Sequence, residues 1–285
     1  MRKSVWIMAM LLVVMLLNGQ TKHALVIGIG KYPVLSGWKR INGDRDADSV
    51  INMLNASGFR DVVCLKNEKA TKANILKEFG FLTQRCQSGD IVYVHFSGHG
   101  QQVEDMNGDE KDGLDESWIP YDACVSLCPK DSGEKHLTDD EVGILLDRIY
   151  YKVGENGKIL VVADACHSGS STRLDGETEV VRGTSEVFQS KHKSPTIEVN
   201  ENWILISACE DNQSNVELKI KEQYSMGKLT YAITWLMKDG CKNDNVTLER
   251  RIQQFFDKHR SSHGEQTLVV SGATGSFEIS ELFVK

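Results

Sequence analysis

The chain has only four prolines in 285 residues, with no Pro-rich stretch, and it has no internal repeat. A repeat array and a chain of linked modules are therefore excluded, and one domain is expected. An excess of basic charge is also missing: 33 Lys and Arg against 40 Asp and Glu give a formal net charge of -7. Nucleic acid and anionic membrane each call for a basic face, so neither is expected as the main partner, whereas a positively charged ligand is easily accommodated. The seven cysteines (64, 86, 124, 128, 166, 209 and 241) contain no Cys-x-x-Cys pair and no paired metal-ligand spacing. Dithiol redox chemistry and a metal cluster are left without support, and the odd number means that at least one thiol stays free within a monomer.

There is one long apolar run, Val5 to Leu17, placed behind Arg2 and Lys3 and followed by Asn18-Gly19-Gln20. It reads as a signal peptide over residues 1–20, although no clean small-x-small site marks the cut before Thr21. The run is shorter than the ~20 residues a spanning helix needs, and no second one follows. Residues 21–285 are accordingly expected to form a single exported domain, secreted or periplasmic, with no stable membrane insertion once the signal is removed.

What is there alternates short apolar strands with amphipathic helices, beginning at His23-Ala-Leu-Val-Ile-Gly-Ile-Gly, and this predicts an α/β fold. A helix is predicted over 44–55, a short strand over 62–65, and a second helix opened by Thr71 with Ile75, Leu76, Phe79 and Leu82 on one face. Ile91 to Phe96 is apolar throughout, as in a strand buried on both sides. Thr138-Asp139-Asp140-Glu141 has the form of a capping box leading into Val142, Leu145, Leu146 and Ile149. Further strands are expected at 158–163, 203–208 and 267–271, with helices at 228–238 and 247–258. The segment 169–200 is rich in Ser, Thr, Gly, Glu and Lys without apolar periodicity, and predicts a long exposed loop open to nicking.

Two predicted strands run into reactive side chains: Ile91-Val-Tyr-Val-His-Phe into Ser97-Gly98-His99-Gly100, and Ile159-Leu-Val-Val-Ala into Asp164-Ala165-Cys166-His167. In a mostly parallel sheet the carboxyl ends of the strands share one edge, and ligands bind in the crevice beyond it. His99 and Cys166 then face each other despite their separation in sequence. An imidazole beside a thiol can take its proton to leave a thiolate and later protonate a leaving amine. Gly100 lets the backbone turn so that its N–H and that of Cys166 can point at a developing oxyanion, a donor typically worth ~3 kcal/mol in the transition state. His95 lies inside an apolar strand and reads as a core histidine; His167 is next to the nucleophile and poorly placed to act as its base.

Tyr93-Val-His-Phe-Ser-Gly-His-Gly and Val162-Ala-Asp-Ala-Cys-His-Ser-Gly resemble the histidine and cysteine boxes of metacaspases and bacterial caspase-like peptidases. Between them, Asn107-Gly-Asp-Glu-Lys-Asp-Gly-Leu-Asp-Glu-Ser and Trp118-Ile-Pro-Tyr-Asp122 resemble that family's acidic loop and the strand after it. Ile204-Leu-Ile-Ser-Ala-Cys resembles its post-catalytic strand. The resemblance covers roughly residues 22 to 240. It implies a caspase-like αβα sandwich, with a mostly parallel central sheet flanked by helices, and a cysteine endopeptidase with a Cys166–His99 dyad. It also implies protein or peptide substrates with Arg or Lys before the cleaved bond.

A basic side chain desolvated in a cleft needs a carboxylate there. Asp164, two residues before the nucleophile, is the first candidate. By resemblance Asp46 is the second, because Ile41-Asn-Gly-Asp-Arg-Asp46-Ala47 is similar to an Asn-Asp-Ala segment of the family. Arg45 replaces the usual Asn, however, and the spacing leaves Asp44 and Asp48 open for that role. Ser97 falls where the family has a pocket serine. No cofactor is required by this reading. Many metacaspases are calcium-activated, but Asp105 to Glu116 departs from EF-hand spacing and reads as a solvated acidic loop. In the polar 169–200 segment, Arg173, Arg182, Lys191 and Lys193 are expected to be exposed and are candidate sites of self-cleavage. Two alternatives stand beside the peptidase: a non-catalytic module binding a basic peptide or partner, and a thiol acyltransferase or redox protein using the same cysteine.

Overall fold

A computed structural model describes residues 20–108, 110, 112–167, 179–193, 195, 200–221, 224–238 and 246–284. The expected signal segment and Arg173 lie outside them, apart from Gln20. The centre is a six-stranded sheet, in the order β11, β8, β7, β3, β1, β2. Its strands are β1 (Lys22–Gly28), β2 (Asp61–Lys66), β3 (Ile91–Ser97), β7 (Lys158–Asp164), β8 (Ile204–Ser207) and β11 (Val269–Gly272). All neighbours run parallel except β11, which pairs antiparallel with β8 at one edge.

The strands read as continuous apolar runs because both faces are covered. Leu25, Ile27, Val92, Val94, Phe96, Ile159 and Val161 face one helical layer, formed by α2 (Lys72–Arg85) and α3 (Asp139–Val153). The residues between them, Ala24, Val26, Tyr93, Leu160 and Val162, face the other layer: α1 (Gly43–Ala56), α4 (Lys228–Lys238) and α5 (Leu248–Lys258). The period of two along each strand thus divides the core between two layers, which is the αβα sandwich the sequence implied. α2 is capped by the Thr71 side chain, and α3 carries the full reciprocal capping box between Thr138 and Glu141.

The strand expected over Trp118–Asp122 instead ends at Trp118, with a turn at Tyr121–Asp122, and several elements were not foreseen. β4 (Gly100–Glu104) and β5 (Leu114–Trp118) pair antiparallel beyond the end of β3, with β6 (Leu137–Thr138) beside them, and β9 (Glu217–Lys221) pairs with β10 (Tyr224–Gly227). Their strands are short and rich in charged or polar residues, so they carry little apolar pattern.

The larger correction concerns 169–200. Its described part is not uniformly an exposed loop: Arg182 and Phe188 are fully buried, and Val181 bridges Val216. Of the basic residues in its described part, Lys191 and Lys193 are exposed as expected and Arg182 is not. Burial of Arg182 follows from charge rather than hydrophobicity, since its partners are carboxylates from three distant elements.

Candidate active site

In the parallel sheet Ser97 and Asp164 are direct neighbours at the carboxyl ends of β3 and β7, and the chain passes from these two ends to His99-Gly100 and to Cys166. A Cβ added at Gly100 would lie 2.6 Å from the Cys166 carbonyl oxygen, so the two turns close on each other only because position 100 has no side chain.

His99 is buried and stacks on Trp38 at 4.7 Å between ring centroids, with Tyr32 against it at 5.2 Å. Its Nε2 lies 2.9 Å from the Lys39 carbonyl oxygen. A carbonyl can only accept, so Nε2 carries the proton and the buried Nδ1, which has no hydrogen-bond partner, keeps the lone pair. Burial lowers the imidazole pKa to about 4, with the Lys39 carbonyl pulling weakly the other way, and the ring is neutral at pH 7. Cys166 is buried, and its thiol donates to the Gln213 carbonyl at 2.9 Å.

Segment 180–188 threads past these residues. Arg182 N–H donates to Asn215 O at 2.9 Å and Glu217 N–H to Val180 O at 2.9 Å, so the stretch before Gly183 lies antiparallel to 215–217. Beyond it the chain runs beside β4, with Phe188 N–H donating to Gln102 O at 2.8 Å. At the crossing point, the Arg182 carbonyl oxygen accepts from the backbone N–H of Cys166 at 3.0 Å and from that of Gly100 at 3.3 Å. These are the two donors expected to hold an oxyanion. A Cβ at Gly183 would lie 2.1 Å from Cys166 O, which shows how tightly the Arg182–Gly183 peptide is seated on the cysteine.

The Arg182 guanidinium meets the three residues expected to line a basic-residue pocket. Nη1 donates to Ser97 Oγ at 2.6 Å and lies 3.9 Å from Asp164 Oδ1, while Nη2 is 2.6 Å from Asp46 Oδ2. A fourth partner, Glu217, accepts from Nη2 at 2.9 Å and was not foreseen. Asp44 and Asp48, left open for the second acid, point elsewhere: Asp44 accepts from Asn67, and Asp48 pairs with Lys66 at the surface.

Asp164 also accepts from Asn215 Nδ2 and from the N–H and hydroxyl of Thr230. Burial alone pushes this carboxyl up, but Arg182 and these hydrogen bonds outweigh it and hold the pKa below the ordinary value. Asp46 goes the other way, to about 6: burial raises it most, Arg182 and the Ser97 hydroxyl oppose that, and the neighbouring Asp164 and Glu217 charges add to it. One guanidinium thus faces several desolvated carboxylates, and Asp46 is the one brought near protonation.

His95 bonds to the Tyr93 hydroxyl and to Thr230, as a core histidine does. His167 is partly exposed, but its Nε2 is buried and unpartnered, and desolvation lowers its pKa to about 4. Cys209 lies beside Cys166, its thiol 3.5 Å from the same Gln213 oxygen, while Cys124 and Cys128 form a disulfide. Among the described residues, no group of three or more His, Cys, Asp or Glu side chains is placed to hold a metal ion; Asp109 of the acidic segment lies outside them. Nor is any described helix long and apolar enough to cross a membrane.

The family model of the caspase domain matches residues 21–275. Metacaspase-1 of Plasmodium falciparum is 27% identical over 224 residues, 76% of this chain and 33% of that protein. Metacaspase-1 of Eremothecium gossypii is 38% identical over 163 residues, covering 54% of this chain and 33% of its own. The chain spans about a third of the length of these curated relatives. Among solved structures, a Geobacter sulfurreducens protein superposes with a TM-score of 0.63 at 22% identity, covering 93% of this chain and 97% of that one. Caspase-1 of Spodoptera frugiperda gives 0.54 at 14% identity, with coverages of 89% and 86%. These two likenesses concern the fold.

Proposed function

The chain belongs to the caspase-domain family, and from that premise we propose that it is a cysteine endopeptidase that cuts after Arg or Lys with a Cys166–His99 dyad. The observation that carries this reading is Arg182, whose carbonyl sits on the N–H groups of Cys166 and Gly100 while its guanidinium fills an acidic pocket. The chain's own Arg182–Gly183 bond occupies the place of a substrate, and it is the bond we assign as the self-cleaved seam.

In the reaction, the Cys166 thiol turns from Gln213 and gives its proton to His99 Nδ1. The thiolate attacks the carbonyl carbon of the basic residue, and the oxygen becomes an anion held by the two backbone N–H groups. When the C–N bond breaks, the His99 imidazolium protonates the departing amine, leaving a thioester on Cys166 that water hydrolyses with the now neutral imidazole as base. The Lys39 carbonyl holds the ring in the tautomer this needs. Asp164, Asp46 and Ser97 bind the basic side chain and orient the bond. No cofactor enters this mechanism.

The Cys124–Cys128 disulfide supports the expected export to an oxidising compartment, secreted or periplasmic. Peptides ending in Arg, Lys or Asp before a fluorogenic group test the activity. Hydrolysis of the first two is expected, to be abolished by thiol alkylation or by Cys166→Ala. Asp164→Ala is expected to lower it by at least about a hundredfold, the effect of removing one member of a buried ion pair. No hydrolysis of any peptide by the wild type favours a module that binds basic segments without cutting them.

A further inference from the structure

The guanidinium of Arg182 is gripped at both ends. At Nη1 stand Ser97 Oγ at 2.6 Å and the Asp164 backbone oxygen at 3.4 Å; at Nη2 stand Asp46 Oδ2 at 2.6 Å and Glu217 Oε1 at 2.9 Å. Glu217 is itself built into place. Its two carboxylate oxygens accept from the backbone N–H and the side-chain amide of Asn42, immediately before α1, at 2.6 and 2.5 Å, and its side chain is 1% exposed. Its own backbone N–H pairs with Val180, so it travels with the strand that holds the residue to be cut.

A planar guanidinium spans two separated acceptor groups with fixed donors, whereas the lysine ammonium is a single point at the end of a flexible stem. A lysine in this pocket satisfies one end and leaves the other short of a cation. If the end at Nη2 is the one left, Glu217 and Asp46 stay desolvated without one, which is costly. We propose that Glu217 is a specificity-determining residue that makes the cleft select arginine over lysine before the cut bond. This rests on the endopeptidase reading and narrows its substrate class.

The test compares kcat/KM of the full-length wild type and Glu217→Gln on two peptides that differ only in Arg or Lys at the cut. The wild type is expected to favour Arg by at least about tenfold, since a site built around specific donors rejects an analogue that lacks them. In Glu217→Gln the ratio is expected to shrink to about threefold or less, mainly through loss on the Arg peptide. A ratio near one in the wild type, or an equal ratio in both proteins, overturns the proposal while leaving the peptidase reading intact.

A second measurement needs no catalysis. In a Cys166→Ala background, thermal unfolding is followed for Arg182→Lys, Glu217→Gln and the pair. Arg182→Lys is expected to lower the midpoint, and to lower it much less once Glu217→Gln is present. Additive midpoint shifts contradict the assignment. If the wild type cuts neither peptide, the peptidase reading fails and this cycle alone decides the role of Glu217.

Discussion

At the scale of single residues, the site separates the titration of its imidazole from that of its carboxylate. His99 is held neutral down to about pH 4 by burial, so the base of the proposed dyad does not titrate in the range where most assays are run. Asp46 is raised to about 6, and it loses its charge as pH falls through that value. Above it the carboxylate pairs with the basic side chain; below it the pair is lost. The rate on an Arg peptide is therefore expected to decline below about pH 6, with Asp46→Asn removing that acidic limb and lowering the plateau. A limb that persists at the same midpoint in Asp46→Asn assigns it to another group. That Cys166, His99, Gly100, Ser97 and Asp164 gather at one sheet edge was legible from the apolar strands they follow, while a pocket role for Ser97 came only from the family resemblance. Glu217 was not legible. It stands in a short, charged strand, and nothing in its own neighbourhood reveals that an arginine thirty-five residues earlier is its partner.

At the scale of elements, the helices were the most readable part, since their caps and apolar spacing are local. The α3 N-terminus is the clearest case. Thr138 accepts from the Glu141 N–H and Glu141 reaches back to the Thr138 N–H, and the helix then buries Val142, Leu145, Leu146 and Ile149. Thr138→Ala is expected to destabilise the protein by about 1 kcal/mol in a denaturant titration. The strands missed from sequence, β4, β5, β9 and β10, form where backbone pairing rather than apolar burial decides. Two of them nevertheless frame the cleft: β4 starts at Gly100, and β9 starts at Glu217.

At the scale of the whole molecule, the proposed seam at Arg182–Gly183 lies between β7 and β8, which are hydrogen-bonded neighbours in the central sheet. The core on the α1 side draws on both halves, with Ala24, Val26 and Tyr93 packed beside Ile206, Leu229 and Ile252. Cutting one connection between two halves of one core leaves the packing in place, so the two products are expected to co-elute as one particle in native size-exclusion chromatography and to separate only on denaturation. The polar composition of 169–200 predicted an exposed loop and hid the ordered, buried stretch around Arg182. Arg182 is drawn in by charges that the local sequence does not contain.

Intact-mass analysis of the full-length wild type beside Cys166→Ala tests the central assignment most directly. The wild type is expected to yield two fragments divided between Arg182 and Gly183, with Cys166→Ala remaining whole. A wild type that stays whole, a cut at another bond, or equal fragments in both proteins contradicts it.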